Sequence, residues 1–404
     1  MVQGVVKSRS EERFILSVVR ELPDPGEGAG IARAIAEQAE PLDWNGVIRR
    51  MSEEGIASLF YHLIDRFHLQ PLLPPEAVKD LSDQYFADLK RNMAASAPLR
   101  RVFDRMNERR LPFIVLKGIA LAELIYPGFA TRGMSDADIL VRKADMEAVD
   151  ACLSDLGYSP VDSTVGLAMA NPMGYLASLD YRLRDGSLPN LHIHWHPVNT
   201  SVPAFMFAGK VDLDRIWERS VPVRLADADA RVLGPEHQVI YLCEHALRVN
   251  HSFDRLILIC DILYALRAYG DEIRWEFLVE EARRFGLAKP VFLGLTLVGH
   301  YTLWDFPEAV QRGVCLDGLT WGERLFLRLQ RDNRRFRGGS ILVYLAMNRG
   351  ILRKVRFAFR VLFPPRHILA QRRYAGRKGG RASDFLLRFG EVFMHLARIV
   401  RHRP

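Results

Sequence analysis

Two carboxylates one residue apart, Asp136 and Asp138, stand at the head of the apolar run Ile139-Leu140-Val141. In a strand, alternate side chains share a face, so the two acids are expected to point the same way. Carboxylates side by side repel each other unless a cation sits between them. An oxygen-rich pair of this kind suits Mg²⁺, which usually takes one or two carboxylates and adds substrate phosphates to its shell. The chemistry implied is phosphoryl or nucleotidyl transfer. Upstream, Phe113 to Leu116 reads as a short buried strand, followed by Lys117-Gly118, a helix to about Tyr126 and a loop that carries Arg132 and Ser135.

These neighbours suit a nucleotide. Gly118 would let backbone approach a triphosphate, with the next helix presenting its N–H groups. Lys117 would bring a compact positive charge to the β- and γ-phosphates. The plainer alternative is a turn glycine beside a surface lysine. Arg132 suits a bidentate phosphate contact or a loop salt bridge, and Ser135 is grouped with the nucleotide-binding set. The stretch resembles the signature of the nucleotidyltransferase superfamily, the DNA polymerase β-like fold. There, a glycine turn after a first strand is followed about a helix later by Asp-x-Asp on the next strand. More narrowly, LKG (116–118), LIYP (124–127) and RGMSDADILV (132–141) are similar to a bacterial family of mostly uncharacterised nucleotidyltransferases, over about Leu42 to Pro365. The resemblance implies an α/β (α+β) fold, with a small mixed sheet flanked by N- and C-terminal helical domains. It also implies a nucleoside triphosphate substrate, Mg²⁺ or Mn²⁺, and an acceptor hydroxyl or phosphate of unknown identity.

A second strand, Leu191 to His196, alternates strictly, with Leu191, Ile193 and Trp195 on one face and His192, His194 and His196 on the other. Tyr175 to Leu183 is expected to pair with it across a turn at 185–190. The superfamily carries a third carboxylate on a strand beside the Asp-x-Asp, and the resembling family reads acidic-x-His-Trp. Here His192 takes the acidic position, while His194-Trp195 match. Either His192 serves as a neutral metal ligand, or the acid is lost or supplied elsewhere, with Asp180 on the other hairpin arm as a candidate. Imidazoles suit Zn, Mn or Fe better than Mg; hydrogen-bonded histidines on a half-exposed sheet are the plainer reading. His245, Arg255 and Asp261, within the run 235–267, resemble the family's second signature. They imply either a substrate contact or a structural network. Asp261 lies in an apolar run, where an unpaired carboxylate is costly, so pairing with Arg255 or His245 is expected.

The elements that must position these residues follow from punctuation and periodicity. The segment 1–40 reads as a helical extension and 41–110 as a helical domain. Asp43 is placed as an N-cap, Gly55 as a breaker and Pro75 as the first residue of a long helix interrupted near Pro98. No site is expected there. The α/β core is placed at 111–232, a C-terminal helical domain at 233–330 and a basic helical tail at 331–404. The tail holds 17 Arg and 2 Lys against Asp332, Asp384 and Glu391, a charge of +16, while the whole chain is +8, so the body is −8. Arginines interleaved with Phe, Leu and Val in 351–362 and 385–400 fit an anionic membrane surface or acidic partner, and nucleic acid less well. Cys152, Cys243, Cys260 and Cys315 form no CxxC pair, which points to reduced thiols in a cytoplasmic protein. No signal peptide is read at the N-terminus, and no apolar run approaches the ~20 residues of a membrane helix. Peripheral association at the inner membrane face is the expectation that the tail adds.

Overall fold

The computed structural model describes residues 2–22, 26, 28–37, 42–161, 177–187, 189–198, 210–248, 251–302, 304–307, 310, 318–331, 338–348 and 350–362. The proposed helix at 385–400, Cys315 and the start of the expected strand at Tyr175 lie outside these residues.

The centre is a seven-stranded mixed sheet: β1 (Phe113–Val115), β2 (Asp136–Val141), β3 (Tyr158–Pro160), β4 (Ser178–Leu183), β5 (Asn190–His194), β6 (Val221–Leu225) and β7 (Ala228–Val232), in the spatial order β3-β4-β5-β2-β1-β7-β6. β2 runs antiparallel to β1 and parallel to β5, with Asp138 directly opposite His192 and Leu140 opposite His194. β4 and β5 form the expected hairpin, in the register Ser178 to His194 and Asp180 to His192. At its turn the Asp185 carboxylate accepts from the Ser187 N–H at 2.8 Å and hydroxyl at 2.7 Å, a local turn device. β5 ends at His194, so Trp195 and His196 lie beyond the strand expected to include them. The β6–β7 hairpin was not expected from the sequence. Its turn residues Ala226 and Asp227 take φ 49° and 59°, the left-handed pair that a tight hairpin needs even without glycine.

Period-two alternation divides the sheet between two apolar cores. Phe113, Val115, Ile139, Val141, Leu191 and Ile193 pack with Leu99, Val102 and Phe103 on one side. Ile114, Leu116 and Leu140 face the other way, into a core that runs through both helical regions, from Phe14 to Phe357. Asp136 and Asp138 share the face of Leu140, as strand periodicity demands. They therefore point to the side on which the helices pack.

The helices begin and end where the sequence marks them. Asp43 accepts from the Gly46 N–H at 3.2 Å to open Trp44–Glu54, and Gly55, at φ 77°, closes it. Pro75 opens a 34-residue helix to Glu108. That helix is not interrupted at Pro98. The proline lacks only one N–H, whose partner carbonyl on exposed Ala94 can turn to water, and buried Leu99, Val102, Phe103 and Met106 anchor the following turns to the sheet. Past the sheet come Pro235–Leu247, Leu256–Tyr269, Trp275–Arg284 and Ala288–Thr302. Residues 236–247 are buried all round, which makes that helix the partner of the aspartate face. Among the described residues no helix is long and apolar enough to cross a membrane, and Cys152, Cys243 and Cys260 are buried and outside any disulfide.

Candidate active site

The strand pairing that sets Asp138 opposite His192 also stacks His194 one pleat further along the same face. The Asp138 side chain, 1% exposed, is enclosed by three nitrogens. His194 Nε2 lies 2.9 Å and His192 Nδ1 3.4 Å from its Oδ1, while Lys117 Nζ lies 2.7 Å from Oδ2. Lys117 arrives there because β1 ends just before it, and the Leu116 N–H donates to the Asp138 carbonyl at 2.9 Å. The two imidazole rings stand 4.0 Å apart, and His192 Nε2 meets the Ser178 hydroxyl at 2.7 Å.

Burial and charge oppose each other here. Burial pushes the Asp138 carboxyl up, but the Lys117 ammonium and the two imidazoles outweigh it and hold the group well below the usual carboxylate range. His194, wholly buried and beside His192, is pushed down to about 3 despite Asp138, so it is neutral at ordinary pH. Its Nδ1 is buried without a partner among the described residues.

Asp138, Lys117, His192 and Asp136 line one cleft of about 520 Å³. Asp136 is half-buried at the β2 entrance, and its Oδ1 accepts from the exposed Ser135 hydroxyl at 3.0 Å. Its strand opposite is Asn190. Asp180 also reaches the cleft, 3.6 Å from His192 Nε2, so the hairpin does bring a further carboxylate to the histidine that replaces the expected acid. His196 is apart, its Nδ1 accepting from the Val198 N–H at 3.2 Å. Gly118 meets a steric demand of the sheet. At φ 71° it is buried, and a Cβ there would stand 2.8 Å from the Asp136 carbonyl oxygen. Glycine is demanded by β2, and the helix after it, Ile119–Leu124, is only six residues long.

Asp261 does not pair with Arg255 or His245. It takes a bidentate bond from Arg132, at 3.2 Å to Nε and 3.0 Å to Nη2, and a 2.7 Å bond from the Tyr126 hydroxyl. Burial disfavours the guanidinium charge, but Asp261 more than restores it. Arg132 thus makes the salt-bridge form of its two readings, a bolt between the loop before β2 and the helix Leu256–Tyr269. Arg255 is exposed at the head of that helix and lines the cleft. His245 is buried in the last turn of Pro235–Leu247, 4.5 Å ring to ring from His251. Its pKa falls well below 6.5 through burial first, then the nearby charges of Lys117, Arg248 and His251.

Two contributions escaped sequence reasoning. Arg248 lines the cleft from a buried position, held by Glu244 at 2.8 and 2.9 Å and donating to the Pro197 carbonyl at 2.6 Å. The long helix 75–108, from which no site residue was expected, supplies Asp88 to the cleft and Asn92 beneath it. Asn92, 0% exposed, donates to the carbonyls of Phe129 and Arg132 at 2.6 and 3.0 Å and accepts from the Met134 N–H at 3.0 Å. It pins the loop that delivers Asp136. The available signal was polarity on an apolar stripe, since Asp88 and Asn92 interrupt the buried series Leu81, Ala95 and Leu99.

The model of a family described as uncharacterised nucleotidyltransferase matches residues 40–302, more than half of the 404-residue chain. The chain belongs to this family. The match contains every cleft residue named above, and it ends short of the Pro365 to which the sequence resemblance was carried. No curated protein and no solved structure matches it.

Proposed function

We propose that the protein is a metal-dependent nucleotidyltransferase that moves a nucleotidyl group from a nucleoside triphosphate to an acceptor hydroxyl or phosphate. The observation that carries this reading is a buried carboxylate, Asp138, facing Lys117, His192 and His194 on the floor of a polar cleft, inside the segment matched to a nucleotidyltransferase family. Asp138 with His192 and His194 offers one ligand atom each, all within 4.8 Å of one another, and Asp136 stands at the entrance beside them. A bound Mg²⁺ or Mn²⁺ would neutralise phosphate charge and act as a Lewis acid at the reacting phosphorus. Lys117, Arg248 and Arg255 form the positive side that would receive the polyphosphate. The Arg132–Asp261 bolt and Asn92 hold the walls in place. The acceptor oxygen bonds to the α-phosphorus as the bond to the α,β-bridging oxygen breaks; pyrophosphate leaves, and a hydroxyl acceptor gives its proton to solvent in the cleft. Catalysis is then mainly positioning and charge neutralisation.

Calorimetric titration of ATP, GTP, CTP and UTP, each with Mg²⁺ and with Mn²⁺, tests this against wild type and Asp136→Asn/Asp138→Asn. Metal-dependent binding of one nucleotide, lost in the variant, is expected. A second reading, a catalytically degenerate binding or scaffold module, is favoured by His192 at the position where an acid is expected opposite Asp138. Nucleotide bound by neither metal form would favour it, as would a large gain in turnover in His192→Asp.

The partner reading rests on the helix Ile351–Leu362. Ile351, Leu352, Val355 and Phe359 are 74, 82, 59 and 59% exposed along one face, with Arg353 and Arg356 beside them and Phe357 buried. An exposed apolar stripe flanked by cations suits the headgroup region of an anionic bilayer, and so a peripheral place at an inner membrane face. Cosedimentation with phosphatidylglycerol vesicles but not phosphatidylcholine vesicles, abolished by L352E/V355E, is the expected result. Equal recovery in both vesicle types, or binding to single-stranded RNA alone, would turn the reading aside.

A further inference from the structure

The donor set in the cleft differs from the all-oxygen shell that Mg²⁺ prefers, and this difference narrows the metal. We propose that Asp138, His192 and His194 form a site for a borderline divalent transition metal, of the Mn²⁺, Co²⁺ or Zn²⁺ class, in preference to Mg²⁺, and that the Lys117 ammonium is the counter-ion this cation displaces. The inference rests on the functional reading only for the location of the site. The metal is read without nucleotide.

Spacing is the first argument. Ligand atoms about 2.0–2.2 Å from one cation stand roughly 3 to 3.5 Å from each other in octahedral or tetrahedral shells. The Asp138 oxygen already lies 2.9 Å from His194 Nε2 and 3.4 Å from His192 Nδ1. Both imidazole donors thus stand at coordination spacing from one carboxylate oxygen, and all three ligand atoms lie within 4.8 Å of one another.

The kind of donor decides the class. Two imidazoles and one carboxylate suit Mn, Co and Zn, whereas Mg²⁺ demands oxygen and sheds water reluctantly. His194 adds a specific point. It is 0% exposed, and among the described residues its ring Nε2 meets Asp138 while its Nδ1 has no partner. A cation beside Oδ1 would be met by Nε2, the nitrogen already aimed there, with the ring proton on Nδ1. His192 has the outer partner that metal-bound histidines normally show, since its far nitrogen meets the Ser178 hydroxyl at 2.7 Å.

Lys117 completes the argument. Its ammonium sits 2.7 Å from Oδ2, while both imidazoles address Oδ1. The carboxylate therefore carries its present cation on one oxygen and its metal ligands on the other. A divalent ion on the Oδ1 side repels the ammonium, and Lys117 lines the cleft into which it can swing.

The test uses tag-free full-length protein and metal ions alone, titrated calorimetrically with MnCl₂, ZnCl₂ and MgCl₂, with CoCl₂ followed by its visible absorption. One equivalent of Mn²⁺ or Zn²⁺ bound at least tenfold more tightly than Mg²⁺ is expected, with Co²⁺ bands that vanish in Asp138→Asn. His192→Ala, at a half-exposed position that disturbs folding little, should weaken Zn²⁺ at least tenfold, and His192→Asp should move the preference towards Mg²⁺. Lys117→Met should bind Zn²⁺ more tightly than wild type. Mg²⁺ bound as tightly as Zn²⁺, or Zn²⁺ binding indifferent to both Asp138→Asn and His192→Ala, overturns the proposal. Nucleotide bound with Mg²⁺ by a protein that ignores Mn²⁺ and Zn²⁺ overturns this inference and leaves nucleotidyl transfer standing. Tight Zn²⁺ binding without any nucleotide binding does the reverse.

Discussion

Replacing Lys117 by Met removes the ammonium from the most buried charge in the cleft while keeping most of the side chain's apolar volume. In wild type the pair stands at 2.7 Å with side-chain exposures of 11% and 1%. Two unit charges at that separation attract by roughly 6 kcal/mol at an effective dielectric of about 20, most of it offset by desolvation. What matters is the remaining partner. A buried charge stripped of its counter-ion typically costs about 3–5 kcal/mol. Asp138 keeps His192 and His194, which soften the loss, so about 3 kcal/mol is expected in urea unfolding without metal. Added Mn²⁺ or Zn²⁺ should then return more stability to Lys117→Met than to wild type, because a ligand that binds only the folded state stabilises in proportion to its affinity. The double variant Lys117→Met/Asp138→Asn, with neither charge, should recover part of the loss. A drop below about 1 kcal/mol, or the same metal response in both proteins, would refute the view of Lys117 as the counter-ion of Asp138.

Acid should destabilise the fold well above the carboxylate range. His194 is held down to about 3 and His245 well below 6.5, so the unfolded chain takes up their protons first as pH falls. Their stabilising contribution is complete above about pH 6.5 and is lost as pH falls below it. Urea unfolding should therefore show lower stability at pH 5 than at pH 7, and His194→Gln should flatten that difference by about 2 kcal/mol. Gly118→Ala places a methyl 2.8 Å from the Asp136 carbonyl at φ 71°. It should cost about 2–4 kcal/mol in the same assay; an unchanged midpoint would show that β2 can yield. Asn92→Ala loses three hydrogen bonds, one buried and two part-buried, and should cost about 2–3 kcal/mol. It should also weaken metal-dependent nucleotide binding through the freed 129–134 loop, whereas wild-type affinity would deny Asn92 a positioning role.

Local rules made much of this protein legible in one dimension. Asp43, Gly55 and Pro75 mark helix ends because each satisfies or frees specific backbone groups within one turn, and the structure uses all three this way. The period of two put Asp136 with Asp138, and His192 with His194, on shared faces, because pleating does not depend on what lies beyond the strand. Tertiary structure decided what those faces meet. The resemblance put the histidine strand beside the Asp-x-Asp, but only the parallel pairing of β2 with β5, across a gap of some fifty residues, fixes the register that sets Asp138 opposite His192. Pairing across long sequence distances likewise gave Arg132 to Asp261, Asn92 to the 129–134 loop and Gly118 to the Asp136 carbonyl. In each case the partner is fixed by where whole elements pack. Spacing along the chain records the rise of a helix or strand, but not which distant side chain stands across the gap when the elements close.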